Sequence, residues 1–127
     1  MVRMIILAGE TGLDSSRLGE ALDSLMEGNI EVVITDPGHM KALNSRFRHV
    51  DRPTDVLTFD LADEGDADPE GTIFVDGRLH PPIEELLERI LHGYLHLRGY
   101  SHDTHEDSVA MAAEVDALVK KALEKYR

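Results

Sequence analysis

IEELLERILHGYLHLRGYSH, residues 83–102, encodes a helix and holds three of the chain's seven histidines. At about 100° per residue, Ile83, Leu86, Leu87, Ile90, Leu91, Tyr94, Leu95 and Leu97 fill one broad sector. So wide an apolar face belongs against a core. Pro81-Pro82 opens the helix and Gly99 closes it, after about Arg98. His92 and His96 lie roughly opposite the middle of that sector, near Glu85 and Arg89. That is the wrong face for a packed core histidine, which leaves solvent exposure or ligation.

The spacing favours ligation. Residues four apart stack one turn above each other, close enough for two imidazoles to share an ion. Gly99 lets the chain leave the helix in a left-handed conformation, so that it turns back and presents His102 to the same point. A lone H-x-x-x-H arises by chance. Gly99 and His102 at these offsets make the pattern specific. The expectation is one Zn²⁺ per chain on His92, His96 and His102, with the fourth tetrahedral position open to water, although Ni²⁺ or Cu²⁺ would also suit such a site in vitro. His39, His49, His80 and His105 lack comparable geometry, and His105, near His102, is the first reserve.

Working outward, residues 2–8, 30–35, 56–61 and 72–76 read as short strands. A helix is expected from Asp14 or Ser15 to Glu27, with Leu18, Ala21, Leu22, Leu25 and Met26 as its stripe. A second, opened by Asp36-Pro37, should reach about Asn44 or Phe47. A last helix starts near Thr104, where Thr104-x-x-Asp107 makes a weak capping box, and carries Met111, Val115, Leu118 and Ala122 on one stripe. Residues 62–71, ADEGDADPEG, form an acidic loop. It mimics the start of a calcium loop, but Gly77 stands where the closing glutamate is required. The sum is an α+β fold: a single domain over 1–127, with a small mixed four-stranded sheet packed with helices and a zincin-like metal helix.

Composition agrees with a soluble globular domain. Of the 127 residues, 42% are apolar and 30% charged, and no apolar run approaches the roughly 20 residues of a spanning helix. The start, MVRMIILA, reads as a strand and not a signal peptide. Absence of cysteine excludes disulfides and thiolate ligands, and a cytoplasmic location is the default expectation. A net charge of −12 opposes nucleic-acid binding unless cations are gathered locally. They are: Lys41, Arg46, Arg48, His49 and Arg52 stand against the single acid Asp51.

The stretch HGYLHLRGYSH resembles the signature H-G-x-L-H-L-x-G-Y-D-H of the YbeY family, with Ser101 in place of aspartate. LNSRFRHVDRPTDVLTF, residues 43–59, resembles the family's L-N-x-x-[YF]-R-x-x-D-x-P-T-D-V-L-S-F. Met111 also falls where that family tends to place methionine. The likeness covers roughly residues 30–115 and, more loosely, the N-terminal strand and helix. It departs at Gly71-Thr72-Ile73, where the family has Gly-Asp-Ile, and between Val75 and Ile83, where a helix is trimmed or lost. The resemblance implies a zinc-dependent, single-strand-specific endoribonuclease of rRNA maturation and ribosome quality control. Its implied partners are rRNA and, as candidates, ribosomal subunit proteins.

The same histidine spacing belongs to metzincin proteases, whose acid after the first histidine shuttles a proton to the leaving amine. Gly93 cannot do so. Phosphodiester cleavage has a less basic leaving group, and a metal brings its water's pKa near neutrality unaided, so the missing acid argues against a peptidase and is tolerable for a nuclease. The expected reaction is attack of metal-bound water on a phosphodiester while Arg48 stabilises the transition state through its planar fork. The resemblance implies the same arginine. The structural alternative pairs Arg48 with Asp51 or Asp55. Asp55 and Asn44 read as structural, and Tyr100 either stacks a base or packs beneath the metal loop. Two other functions stay open: a zinc peptidase or other metal-dependent hydrolase, and a non-catalytic ribosome-associated module stabilised by its metal.

Overall fold

The computed structural model describes residues 1–7, 13–50, 52, 54–77 and 82–127. Among them the order is β1 (Val2–Ile6), α1 (Ser15–Asp23), β2 (Asn29–Thr35), α2 (Pro37–Arg48), β3 (Val56–Asp60), β4 (Glu70–Asp76), α3 (Ile83–Leu97) and α4 (His105–Tyr126). The four strands form one mixed sheet in the order β1-β2-β4-β3. β1, β2 and β4 are parallel, with Val2 opposite Ile30 and Asn29 opposite Glu70, whereas β3 runs antiparallel to β4 with Val56 opposite Val75. Parallel neighbours need a crossover, and α1 supplies the first.

Alternation along the strands decides which residues meet which helices. Ile30, Val32, Ile34, Ile73 and Val75 point to one face and join Leu18 and Leu22 of α1, Leu86, Leu87, Ile90 and Leu91 of α3, and Met111 and Leu118 of α4 in one core. Each fully buried aliphatic side chain contributes roughly 1.5–3 kcal/mol by removal from water. The opposite face takes α2, where Met40 is buried and the His39 ring meets the Phe74 ring edge-on.

Helix ends follow local chemistry. Asp14, Asp36 and Thr104 each accept a hydrogen bond from the backbone N–H three residues on, which caps α1, α2 and α4. α1 stops at Asp23, short of the expected Glu27, because Ser24 Oγ donates to the Ala21 carbonyl and the chain tightens into a turn. Leu25 and Met26 still pack against the core from that turn. α2 continues to Arg48, past the expected end, and β4 begins at Glu70, since its first residues pair with Asn29 and Ile30. Residues 78–81, and with them His80 and most of the trimmed segment, lie outside the described residues, as does Asp51. No helix among the described residues is long and apolar enough to cross a membrane.

Candidate metal centre

α3 brings His92 and His96 onto one face, one turn apart. Its end is a Schellman turn: the N–H of Gly99 donates to His96 O and that of Tyr100 to Leu95 O, both at 3.0 Å. That closure requires a left-handed residue, and Gly99 sits at φ 95°. The chain then doubles back and lays the His102 ring against His92, with centroids 5.0 Å apart and planes 22° from parallel.

Nε2 of His92 lies 3.1 Å from Nε2 of His96 and 3.1 Å from Nε2 of His102. One ligand atom from each of the three falls within 4.8 Å of the others. Two nitrogens bound roughly 2.05 Å from a tetrahedral ion would stand about 3.3 Å apart, so the donor set fits a metal with little movement. Among the described residues no other histidine or carboxylate joins the group. His92 and His96 are half-buried and His102 is exposed, so the cluster opens to solvent.

Neighbouring groups prepare the rings. The His96 Nδ1 lies 3.1 Å from the Tyr100 carbonyl, an acceptor that fixes the proton on Nδ1 and leaves the Nε2 lone pair free. His102 Nδ1 has a longer contact, 3.4 Å, to Ser108 Oγ. Burial first, then the fields of His96 and His102, hold the pKa of the His92 imidazole below its ordinary value, which favours the neutral ring. Tyr100 thus serves through its carbonyl, while its side chain is exposed. Spacing alone marks neither that carbonyl nor Ser108, because both depend on how the turn closes. Ser101, in the place of the family aspartate, reaches the Asp107 carboxylate at 3.4 Å, long for a hydroxyl donor.

Gly93 has a packing reason that its sequence position does not reveal. A Cβ there would stand 2.8 Å from Thr58 Oγ1 and 2.9 Å from Ile73 Cγ2. α3 therefore lies directly on β3 and β4, and an acid after the first histidine would be driven into the sheet.

Arg48 ends α2 on the other side of the same edge strand. The neighbouring Phe47 ring meets Phe59 of β3 edge-on at 5.3 Å. Arg48 is exposed and lines a depression with Asn44, Val50, Arg52, Thr54 and Asp55, in which none of the three histidines takes part. Arg48 and Asp55 form no ion pair with each other. Asn44 is a structural residue inside the helix: 5% exposed, it donates from Nδ2 to the Arg52 carbonyl at 2.9 Å. His39 is likewise occupied, its Nδ1 2.9 Å from Thr35 Oγ1, and His49 and His105 are exposed helix-end residues outside the cluster.

The family model described as endoribonuclease YbeY matches residues 13–123. A protein of that name from Nautilia profundicola is 34% identical over 117 residues, covering 85% of this chain and 82% of the relative. Another from Sulfurovum is 35% identical over 122 residues, covering 84% and 83%. The solution structure of a Thermotoga maritima protein superposes with a TM-score of 0.68 at 29% identity, covering all of this chain and 92% of that one. With the model spanning nearly its whole length and relatives this close, the chain belongs to the endoribonuclease YbeY family.

Proposed function

We propose that residues 1–127 act as one metallohydrolase domain, a zinc-dependent endoribonuclease that cuts single-stranded RNA in rRNA maturation and ribosome quality control. Its setting would be the cytoplasm, with ribosomal subunit proteins as further partners. The observation that carries this reading is the convergence of three imidazole nitrogens on one solvent-open point in a chain of this family.

His92, His96 and His102 would hold the ion through Nε2, and neutral imidazoles suit zinc. When bound, such an ion supplies Lewis acidity and lowers the pKa of a coordinated water toward 7. The remaining work belongs to the chain. The Tyr100 carbonyl keeps the His96 ring in the ligating tautomer. The Arg48 guanidinium offers two parallel N–H donors to the phosphoryl oxygens, where negative charge grows as the phosphodiester is attacked. Position 93 supports nuclease over peptidase chemistry, because no proton-shuttling side chain fits there.

The test combines metal analysis of the purified protein with cleavage of a single-stranded RNA. His96→Ala should lose the ion and cut at least about a hundredfold more slowly, since disturbing groups around a ligand already costs 10–100-fold. Arg48→Ala should keep the ion and cut slowly. Undiminished cleavage by His96→Ala would rule the reading out. A chain that binds RNA uncut and unfolds on chelation would be the metal-stabilised module instead.

A further inference from the structure

The depression beside Arg48 has a volume of about 540 Å³, within the roughly 300–1,000 Å³ of clefts that take small ligands. Among the described residues, two guanidinium groups, Arg48 and Arg52, and one acid, Asp55, line it. In a chain of net charge −12, such a local excess of cations is a place for an anion. The loop holding Arg52 is anchored from inside, because buried Asn44 grips the Arg52 carbonyl. The backbone is thereby fixed while the side chain stays exposed. Among the described residues Arg52 forms no ion pair.

A second feature lies one residue before Arg48. Phe47 is 52% exposed, unusual for a phenylalanine. It is propped from behind, edge-on to Phe59, which is itself edge-on to Phe74. The Arg46 guanidinium lies 5.2 Å from the Phe47 ring centre. A supported, exposed ring with cations nearby is how proteins hold single-stranded nucleic acid: bases stack on aromatics while the backbone follows positive charge.

We propose that the end of α2 and the loop after it form a binding subsite for the RNA strand next to the reacting phosphate, with Arg52 on a neighbouring backbone phosphate and Phe47 stacked on a base. The proposal rests on the reading of the chain as acting on single-stranded RNA. It adds contacts that hold the strand beyond the phosphate assigned to Arg48. It also accounts for an arginine and an exposed ring that the metal centre leaves unused.

The experiment measures anisotropy of a fluorescein-labelled single-stranded RNA oligonucleotide against the full chain carrying His96→Ala, which keeps the RNA intact, at several salt concentrations. Arg52→Gln should raise Kd about three- to tenfold and lower the slope of log Kd against log salt by roughly 0.7, the value for one lost phosphate contact on a single strand. Arg52→Lys should restore the slope. Phe47→Leu should weaken binding about fivefold or more, the loss expected of a base stack, with the slope unchanged.

Phe47→Trp adds a readout that does not depend on affinity. The chain has no tryptophan, so this would be its sole indole, and RNA should quench its emission. Unchanged Kd and slope in Arg52→Gln, or a tryptophan at 47 blind to RNA that is demonstrably bound, overturns the proposal. If the unsubstituted chain neither cuts nor binds RNA, the failure lies in the proposed function itself.

Discussion

α2 and α3 both end in a left-handed residue, and the two ends have been built at different cost. α3 uses Gly99 at φ 95°, where a Cβ would meet nothing within 4 Å and only conformation matters. α2 uses His49 at φ 58°, a conformation that costs a residue with a Cβ roughly 1–2 kcal/mol. The surroundings of His49 must supply that. The Asn44 carbonyl accepts from the N–H groups of His49 and Val50, and its side chain holds Arg52. Where the turn brings the His102 ring back onto the other two imidazoles, glycine removes the strain. Where the turn presents exposed cations, one buried amide holds a strained turn in place.

Substitutions can break or sharpen that contrast. The largest effect is expected on the α3 side from Gly93→Glu, which adds overpacking of about 1–3 kcal/mol to a desolvated carboxylate costing several more. Against a total of about 5–15 kcal/mol, the variant should show no cooperative urea transition, and a normal midpoint would contradict the close approach to Thr58. Next comes Asn44→Ala on the α2 side. It strips the Arg52 carbonyl of its donor and should cost about 1–3 kcal/mol in the same assay.

Gly99→Ala should destabilise by about 1–2 kcal/mol and, if the proposed zinc site is right, should also weaken the affinity for added Zn²⁺ by swinging His102 away, which calorimetric titration would detect. The smallest change has the opposite sign. His49→Gly relieves the strained turn but adds about 0.4–1 kcal/mol of unfolded-chain entropy, leaving a net gain of roughly 0.5 kcal/mol. A lower melting temperature for His49→Gly would show that its side chain contributes a contact beyond conformation.

What could be read in advance divides along the same line. The sector on α3, the histidine spacing and Gly99 are local patterns in one helix and one turn, so the sequence displays them directly. Thr104 and Asp36 show as caps for the same reason. Gly93 reads chemically as a missing acid, while its packing reason involves Thr58 and Ile73, far away in the chain. The insertion of β4 between β2 and β3 is equally non-local, since alternation tells which side of a strand is buried and not which strand lies beside it. Asn44 suggested the end of a helix because asparagine competes for backbone groups. Buried, with its amide turned onto Arg52, it lets α2 run on to Arg48.

The tight seating of α3 on the sheet also bears on what this scaffold could become. Acquiring the proton relay of a protein-cutting zincin would need more than a codon change after His92. The helix would first have to rise off Thr58 and Ile73, which would open the hydrophobic interior and pull two of the three imidazoles from their shared focus. A single substitution at position 93 would therefore disturb the packing of α3 and the convergence of its imidazoles before it could supply a proton relay.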